Sequence, residues 1–256
     1  MKEKRHWLIK IRPIELAVFL KWALRIRRRE TQADELRLWV DPASNFGSRV
    51  LAEGAYEPAL TAVFRQLLRP GDTVFDVGAN EGWFSMVACQ CVAPNGRVLA
   101  VEPQERLWPV ILENASLNHF ANLALLPFGV SREEGVVSMN LYPTLNSGSS
   151  NFGPGKRRFD KVQRVTVMPL ERLIDQSGVD RIDLMKIDIE GFELEALRSA
   201  GRHLGSTIRR LVVEIHPPLL QARGESEQEV RILLADSGYE PEMLGEVEVW
   251  ELDPAA

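Results

Sequence analysis

From residue 55 onward, the apolar positions repeat in some segments with a period of about two, which predicts strands, and in others with a period of about 3.6, which predicts helices. Short β-rich runs such as Thr73–Val77 and Arg97–Val101 end at glycine or an acidic residue. Helical segments lie between the strands, for example over Glu81–Val92 and Arg106–Leu117. Strands that alternate with helices favour a mostly parallel sheet with helices on both faces.

The last third of the chain adds two strands and an antiparallel pair. Strand four is predicted over Ile182–Ile189 and strand five over Arg209–Ile215, and Tyr239–Leu244 and Val247–Glu251 form a hairpin around Gly245. The pattern therefore predicts an α/β fold with a mostly parallel, seven-stranded, Rossmann-like sheet that ends in an antiparallel hairpin. This ending is unlike a plain dinucleotide-binding fold.

The first 50 residues do not share this alternation. Pro42 and Gly47 mark loops there, and Ile14–Leu24 is a largely apolar run that two charged residues interrupt. The run is too short and too charged to span a bilayer. We predict a basic N-terminal helical extension over residues 1–50 and one domain over residues 51–256.

Charge is distributed unevenly between these two parts. The formal net charge is −5, yet residues 1–30 hold ten Lys/Arg and three Asp/Glu. The acidic body does not favour nucleic acid as a partner, because phosphate binding needs a basic surface. The basic segment is interpreted either as a helix or lid packed on the domain, or as a helix that rests peripherally on an anionic membrane.

The only cysteines, Cys89 and Cys91, lie two residues apart in a predicted helix. Residues at that spacing face different directions, so the pair forms neither a disulfide nor a metal site by itself. We interpret both as reduced thiols, which predicts a cytoplasmic location.

The first strand ends in a glycine turn that is typical of a nucleotide site. The run Asp76-Val77-Gly78-Ala79-Asn80-Glu81-Gly82 is predicted as strand, turn and helix start, and Asn80 replaces the second glycine that a pyrophosphate requires. Glu102 ends the second strand and can bind both hydroxyls of a ribose. A phosphate-free, cationic cofactor such as S-adenosylmethionine fits this pattern better than NAD. The predicted cofactor-binding residues are Asp76, Gly78, Ala79, Asn80, Gly82, Glu102, Pro103 and, beside the adenine, Val130 and Ser131.

Charged residues at the ends of strands four and five are the candidates for chemistry. A period of two places Lys186, Asp188 and Glu190 on one face of strand four, and Glu214 and His216 on one face of strand five. If these strands are parallel neighbours, Lys186 pairs with Glu214, and Asp188 orients His216 as a general base. The predicted catalytic residues are therefore Asp188, Glu190 and His216. Two alternatives stay open: His216 caps the following turn, or these three residues hold a divalent metal, which is not favoured.

Three motifs together resemble the FkbM family of methyltransferases: Val74–Gly82, Val101-Glu102-Pro103 and Lys186-Ile187-Asp188-Ile189-Glu190-Gly191-Phe192-Glu193. The loop Asn146-Ser147-Gly148-Ser149-Ser150 is similar as well. The resemblance covers about residues 55–216 and implies a class I S-adenosylmethionine-dependent methyltransferase that O-methylates a sugar, glycan or natural product. It also implies that Asp76, Gly78, Asn80 and Glu102 contact the cofactor, and that Asp188 and Glu190 border the active site.

Two other functions stay open at this point. A nucleic-acid or protein N-methyltransferase commonly carries an Asn/Asp-Pro-Pro-aromatic turn after strand four, where this chain has Asp188-Ile189-Glu190-Gly191. A non-catalytic cofactor-binding scaffold could dock through the basic N-terminal helix. The long polar stretch 143–158 is predicted to be a substrate lid, and Lys156-Arg157-Arg158 at its end either meets an anionic acceptor or is a solvated charge run. The sequence determines neither the acceptor nor the oligomeric state.

Overall fold

The structure is a computed structural model that describes residues 7–143, 145, 148, 150 and 161–253. Its α-helices in these residues are α1 (Ile14–Ala23), α2 (Asn45–Glu53), α3 (Pro58–Leu67), α4 (Trp83–Val92), α5 (Trp108–Leu117), α6 (Leu170–Ser177), α7 (Glu193–Ser199), α8 (Pro217–Ala222) and α9 (Glu227–Asp236). The strands are β1 (Arg29–Ala33), β2 (Leu36–Val40), β3 (Thr73–Val77), β4 (Arg97–Val101), β5 (Leu123–Leu126), β6 (Gly129–Val130), β7 (Gly135–Leu141), β8 (Lys161–Met168), β9 (Leu184–Ile187), β10 (Arg210–Val213), β11 (Tyr239–Leu244) and β12 (Val247–Leu252).

The main sheet has seven strands in the order β11-β12-β10-β9-β3-β4-β5. Strands β10, β9, β3, β4 and β5 are parallel, β12 is antiparallel to β10, and β11 pairs with β12 as an antiparallel hairpin at the edge of the sheet. The predicted sheet and its closing hairpin are confirmed. The chain leaves β3 toward β4 on one side and later returns to β9 on the other, so the strand order reverses at β3. Sheets of this kind bind ligands at such a reversal, beyond the carboxyl ends of the strands.

Successive side chains of the parallel strands pack into two different cores. Val74 and Leu184 face the core that α3 and α4 cover, whereas Phe75 and Met185 face the core that α6, α7 and α9 cover. Because both faces are covered, all four residues of β9 are buried. Helices therefore lie on both faces of the sheet, as predicted.

Residues 29–53 form elements that the sequence analysis did not identify. Strands β1 and β2 pair as an antiparallel hairpin, and α2 begins where the Ser44 side chain accepts the N–H of Gly47. Leu36, Leu38 and Val40 are fully buried in the core that α3 and α4 share. The boundary predicted at residue 50 therefore falls inside a continuous core. The apolar run before β1 is helical, as predicted, and forms α1.

Strands β7 and β8 are not part of the main sheet. They pair with each other, and with β6 they form a separate sheet in the order β6-β8-β7. The predicted lid over residues 143–158, with Lys156-Arg157-Arg158, lies mostly outside the described residues.

Two smaller expectations concern the cysteines and the bilayer. Cys89 and Cys91 are both free thiols, the first buried and the second partly buried, as predicted. Among the helices that the structure describes, none has the length and apolar character that crossing a bilayer requires.

Candidate active site

An open cavity lies at the carboxyl ends of β3, β4, β9 and β10. It measures about 830 Å³ including its mouth, within the size range of small-molecule sites. Eight of the residues predicted from the sequence line it: Gly78, Asn80, Glu102, Pro103, Val130, Asp188, Glu190 and His216. The reversal of strand order thus brings together residues that lie more than a hundred positions apart.

The other four predicted residues do not line this cavity: Asp76, Ala79, Gly82 and Ser131. Gly82 has a φ of +85° and precedes the first residue of α4. The Ser131 hydroxyl donates to Glu195 Oε1 at 2.9 Å. The structure thus gives these two residues local roles, and their contact with a cofactor stays a prediction.

Asp76 lies buried beneath the cavity in a charged cluster with Lys186. Asp76 Oδ2 accepts from the Ser85 hydroxyl at 2.6 Å, and its Oδ1 lies 4.0 Å from Lys186 Nζ. Lys186 Nζ also donates to Asp188 Oδ2 at 3.0 Å. Burial lowers the pKa of Lys186, but the carboxylates of Asp188 and Asp76 outweigh it, so the pKa is raised and the amine stays charged.

The predicted pairing of Lys186 with Glu214 is corrected by the register of the sheet. Lys186 lies beside Asp76 on β3 and beside Val212 on β10. Side chains that are neighbours across parallel strands share one face, which explains why Lys186 meets Asp76. Glu214 follows the end of β10 and lines the cavity instead.

The Glu102 carboxylate is fixed by backbone donors. Asn80 N–H donates to its Oε2 and Gln104 N–H to its Oε1, both at 2.8 Å. Burial raises the pKa of Glu102 to about 7. Each carboxylate oxygen has a further lone pair, and Glu102 lines the cavity, so it can accept two ribose hydroxyls. This arrangement fits the adenosine part of S-adenosylmethionine.

The glycine turn after β3 is pressed against the turn after β9. A Cβ on Gly78 would overlap the carbonyl oxygen of Asp188, and Gly78 has a φ of +85°. Both restrictions favour glycine, which has no Cβ. The close approach brings the turn after β3 and the turn after β9 side by side at the border of one cavity.

His216 is held by Glu193, which corrects the prediction that Asp188 orients it. Its Nδ1 lies 2.9 Å from Glu193 Oε1, whereas its Nε2 lies 4.0 Å from Asp188 Oδ1 and 3.8 Å from Glu214 Oε1. The physical reason is that β9 ends at Ile187, so Asp188 lies on a turn beyond the strand while α7 places Glu193 beside the imidazole.

The protonation of this cluster departs from ordinary values. The hydrogen bond to Glu193 raises the pKa of His216 to about 9, so the imidazole is cationic at neutral pH. Burial raises the pKa of both Glu190 and Glu214 to about 7. The carboxylates are thus better placed than His216 to take up a proton near neutral pH.

Sequence reasoning missed three residues of this region. The Glu193 side chain accepts a hydrogen bond from the N–H of Gly191 at 2.8 Å. Its position in the first turn of a helix gave no sign that it also contacts His216. Tyr56 and Glu57 line the cavity from the start of α3. They precede β3 in the chain, so no strand-end pattern marks them.

Asp188, Glu214 and His216 each offer a ligand atom within 4.8 Å of the others. Two carboxylates and an imidazole are donors that several divalent metals accept. The metal site considered from the sequence consisted of Asp188, Glu190 and His216, so this group differs from it by having Glu214 in place of Glu190. Lys186 Nζ lies 3.0 Å from Asp188 in the same cluster.

The fold and the cavity define a class of enzyme. A parallel sheet with an antiparallel hairpin at its edge, a glycine turn after the central strand and a fixed acid after the next are features of class I S-adenosylmethionine-dependent methyltransferases. A profile of the methyltransferase FkbM domain matches residues 76–241, and the chain belongs to this family.

The matches to three individual relatives cover between 56% and 73% of each relative's own length. The methyltransferase sdnD of Sordaria araneosa is 28% identical over 197 residues, covering 65% of this chain and 73% of sdnD. The 31-O-demethyl-FK506 methyltransferase FkbM of Streptomyces tacrolimicus is 30% identical, covering 58% of this chain and 67% of that protein. The hexuronic acid methyltransferase AglP of Haloferax volcanii is 26% identical, covering 57% and 56%.

Solved structures with a similar chain path have low sequence identity. A putative rRNA-methylase of Clostridium thermocellum aligns with a TM-score of 0.49 at 9% identity, covering 78% of this chain and 97% of that one. An S-adenosylmethionine-dependent methyltransferase of Aquifex aeolicus aligns with a TM-score of 0.43 at 19% identity, covering 79% and 89%.

Proposed function

We propose that this methyltransferase transfers the methyl group of S-adenosylmethionine to a hydroxyl oxygen of a sugar, glycan or natural-product small molecule. The observation that carries the proposal is that Glu102 and the cluster of Asp188, Glu190, Glu214 and His216 border one cavity. Two relatives support the acceptor class, because one is named for 31-O-demethyl-FK506 and another for hexuronic acid.

The cofactor side of the cavity is built to bind and orient. Bound S-adenosylmethionine supplies an electrophilic methyl group on a positively charged sulfur. Glu102 would hold the ribose, and the Gly78 turn lets the backbone approach the ligand closely. Much of the rate enhancement would come from holding the two reactants in line.

The acceptor side supplies carboxylates that can bind a hydroxyl and remove its proton. Asp188 and Glu190 lie on the turn after β9, Glu214 follows β10, and all three line the cavity, which supports a position beside the acceptor. Glu190 and Glu214, with pKa values of about 7, are suited to accept the proton as the methyl group transfers. We propose that cationic His216, fixed by Glu193, limits the repulsion between these carboxylates.

The proposed transfer needs no metal ion. Lys186 and the imidazolium of His216 already place two positive charges beside Asp188. Their repulsion of a further divalent cation supports this proposal. Turnover should be unchanged by a chelator, and a loss that magnesium restores would contradict this part of the proposal.

The test is an assay with labelled S-adenosylmethionine and a panel of hydroxylated sugars, uronic acids and macrolide-like alcohols, with RNA and peptide amines as comparison. We expect label only in the hydroxylated compounds, whereas label confined to RNA or peptide would reject the proposal. Asp188→Asn should reduce turnover by about 10²-fold or more. Its affinity for S-adenosylhomocysteine should stay unchanged, and an equal loss of both would reassign Asp188 to cofactor binding.

A further inference from the structure

Exposed large apolar side chains are concentrated in the N-terminal segment. The described residues contain eleven of them, and six lie between residues 7 and 24: Trp7, Leu16, Val18, Phe19, Trp22 and Leu24. Trp22 is 75% exposed and Phe19 57%. Single exposed apolar residues are ordinary, but a cluster of this size marks a contact surface.

The cluster belongs to a helix that is anchored by its other side. Ala17 of α1 is buried with Leu8, Ala43 and Leu145 in a small core of its own, and Lys21 forms an ion pair with Asp41. Leu16, Phe19 and Trp22 follow at intervals of three, so they share the outer side of the helix. The rings of Phe19 and Trp22 lie 6.0 Å apart. The structure therefore presents an apolar face at a fixed orientation. We refer to Leu16, Phe19 and Trp22 as the α1 face.

Positive charge surrounds the α1 face. The exposed basic residues before and after the helix are Lys10, Arg12, Arg25, Arg27 and Arg29. Arg25 and Arg27 form no ion pair with any residue that the structure describes. Within α1 itself Glu15 is the acidic residue, whereas the chain as a whole has a net charge of −5. A basic border on an acidic protein is complementary to an anionic surface.

We infer that the α1 face docks this protein on an anionic lipid bilayer. Phe19 and Trp22 enter the boundary between head groups and acyl chains, where aromatic side chains are favoured, and the arginines meet the lipid phosphates. A helix of ten residues lies in the plane of the interface rather than across it. A symmetric contact between two copies through this face would bring the basic borders of the two copies together, which like charge disfavours.

The side of α1 that faces the protein packs near residues that line the cavity. Leu145 packs against α1, while Gly148 and Ser150 of the same segment line the cavity. The inference concerns binding alone and does not depend on the proposed methyl transfer.

The test uses the full chain and sedimentation with vesicles of phosphatidylcholine, alone or mixed with phosphatidylglycerol. We expect binding to the mixed vesicles, weakened by salt, and little binding to the neutral ones. Phe19→Ser/Trp22→Ser should weaken binding at least about tenfold, because the variant loses the two aromatic side chains that become buried in the bilayer. The matched control is Leu112→Ser/Ile232→Ser, which removes two exposed apolar side chains from α5 and α9 and should bind as the unchanged protein does.

A second pair of variants tests the charge. Arg25→Glu/Arg27→Glu should abolish the preference for anionic vesicles, whereas Arg132→Glu/Arg164→Glu, at exposed positions outside the N-terminal segment, should retain it. All four variants change exposed residues, and circular dichroism checks that each is folded. Equal binding by Phe19→Ser/Trp22→Ser and its control Leu112→Ser/Ile232→Ser, or no binding of the unchanged chain to anionic vesicles, would overturn the inference. A second result would also overturn the inference. In it, analytical ultracentrifugation shows a dimer of the unchanged chain that Phe19→Ser/Trp22→Ser dissociates, and the unchanged chain does not bind vesicles.

Discussion

At the residue scale, surroundings decide which side chains of the cavity carry charge. Glu102 accepts two backbone N–H groups, yet its burial raises its pKa to about 7. His216 contacts the buried carboxylate of Glu193, and this contact raises its pKa to about 9. The residue types were evident from the sequence, but the partners that set their ionisation were not, because Asn80, Gln104 and Glu193 act from other elements or through the backbone.

Glu102→Ala tests the ribose role directly. Loss of charged hydrogen bonds should weaken the binding of S-adenosylhomocysteine by about 1–3 kcal/mol. Isothermal titration calorimetry measures this change. Glu105→Ala, at an exposed position three residues later, should leave affinity unchanged. Equal affinity of Glu102→Ala and the unchanged protein would reject the assignment.

Glu193→Gln tests the contact with His216. The Glu193 carboxylate stabilises the imidazolium form of His216. Replacing this carboxylate with an amide should therefore lower the pKa of His216 from about 9 toward its ordinary value of 6.5. The raised pKa stabilises the fold fully below pH 6.5, and this contribution is lost as the pH rises through about 9. An NMR titration of the imidazole protons measures the shift, with His203, which contacts Asp175, as the internal control. A value of about 9 retained in Glu193→Gln would contradict the contact.

At the element scale, the site depends on two turns that touch. The turn after β3 approaches the turn after β9 so closely that Gly78 has no room for a Cβ beside Asp188. The sequence predicted the turn after β3, because it follows a short apolar strand and contains glycine. It did not predict where β9 ends, since Asp188 and Glu190 continue the alternation that strand residues show, and this error placed them on the sheet.

Gly78→Ala should destabilise the protein more than a positive φ alone explains. Gly54 also has a φ of +78°, but no heavy atom lies within 4 Å of its Cβ position. Gly54→Ala should therefore show the conformational cost alone, roughly 1–2 kcal/mol. The overlap at Gly78 should add about 1–3 kcal/mol and weaken cofactor binding. Urea unfolding of both variants gives the difference, and equal losses would contradict the close approach.

At the scale of the whole molecule, the segment before α3 is part of the main core. Phe46 and Val50 of α2 join Leu36 and Leu38 in the core that α4 covers. Arg28 reaches across to the buried Glu81 at 2.6 Å. By contrast, α1 packs in a separate small cluster. The first 50 residues therefore contain two parts with different relations to the domain.

Two truncations should separate these parts. A chain of residues 51–256 loses the buried side chains of β1, β2 and α2, so we expect it to lack a cooperative thermal transition and to bind a hydrophobic dye. A chain of residues 25–256 keeps that core and should unfold cooperatively. Circular dichroism melts measure both, and a cooperative transition in residues 51–256 at the temperature of the full chain would contradict the continuous core.

The sequence by itself determined the order of helices and strands in the sheet domain, the edge of the sheet that carries the site, and eight of the residues that line it. It could do so because local periodicity reports which side of an element is buried, and parallel strands all present their carboxyl ends at one edge. Only the tertiary structure decided that Lys186 meets Asp76, that Glu193 holds His216, and that β1 and β2 complete the core. These contacts join segments that are distant along the chain, and the distance between two side chains depends on how their elements pack, which no local pattern specifies.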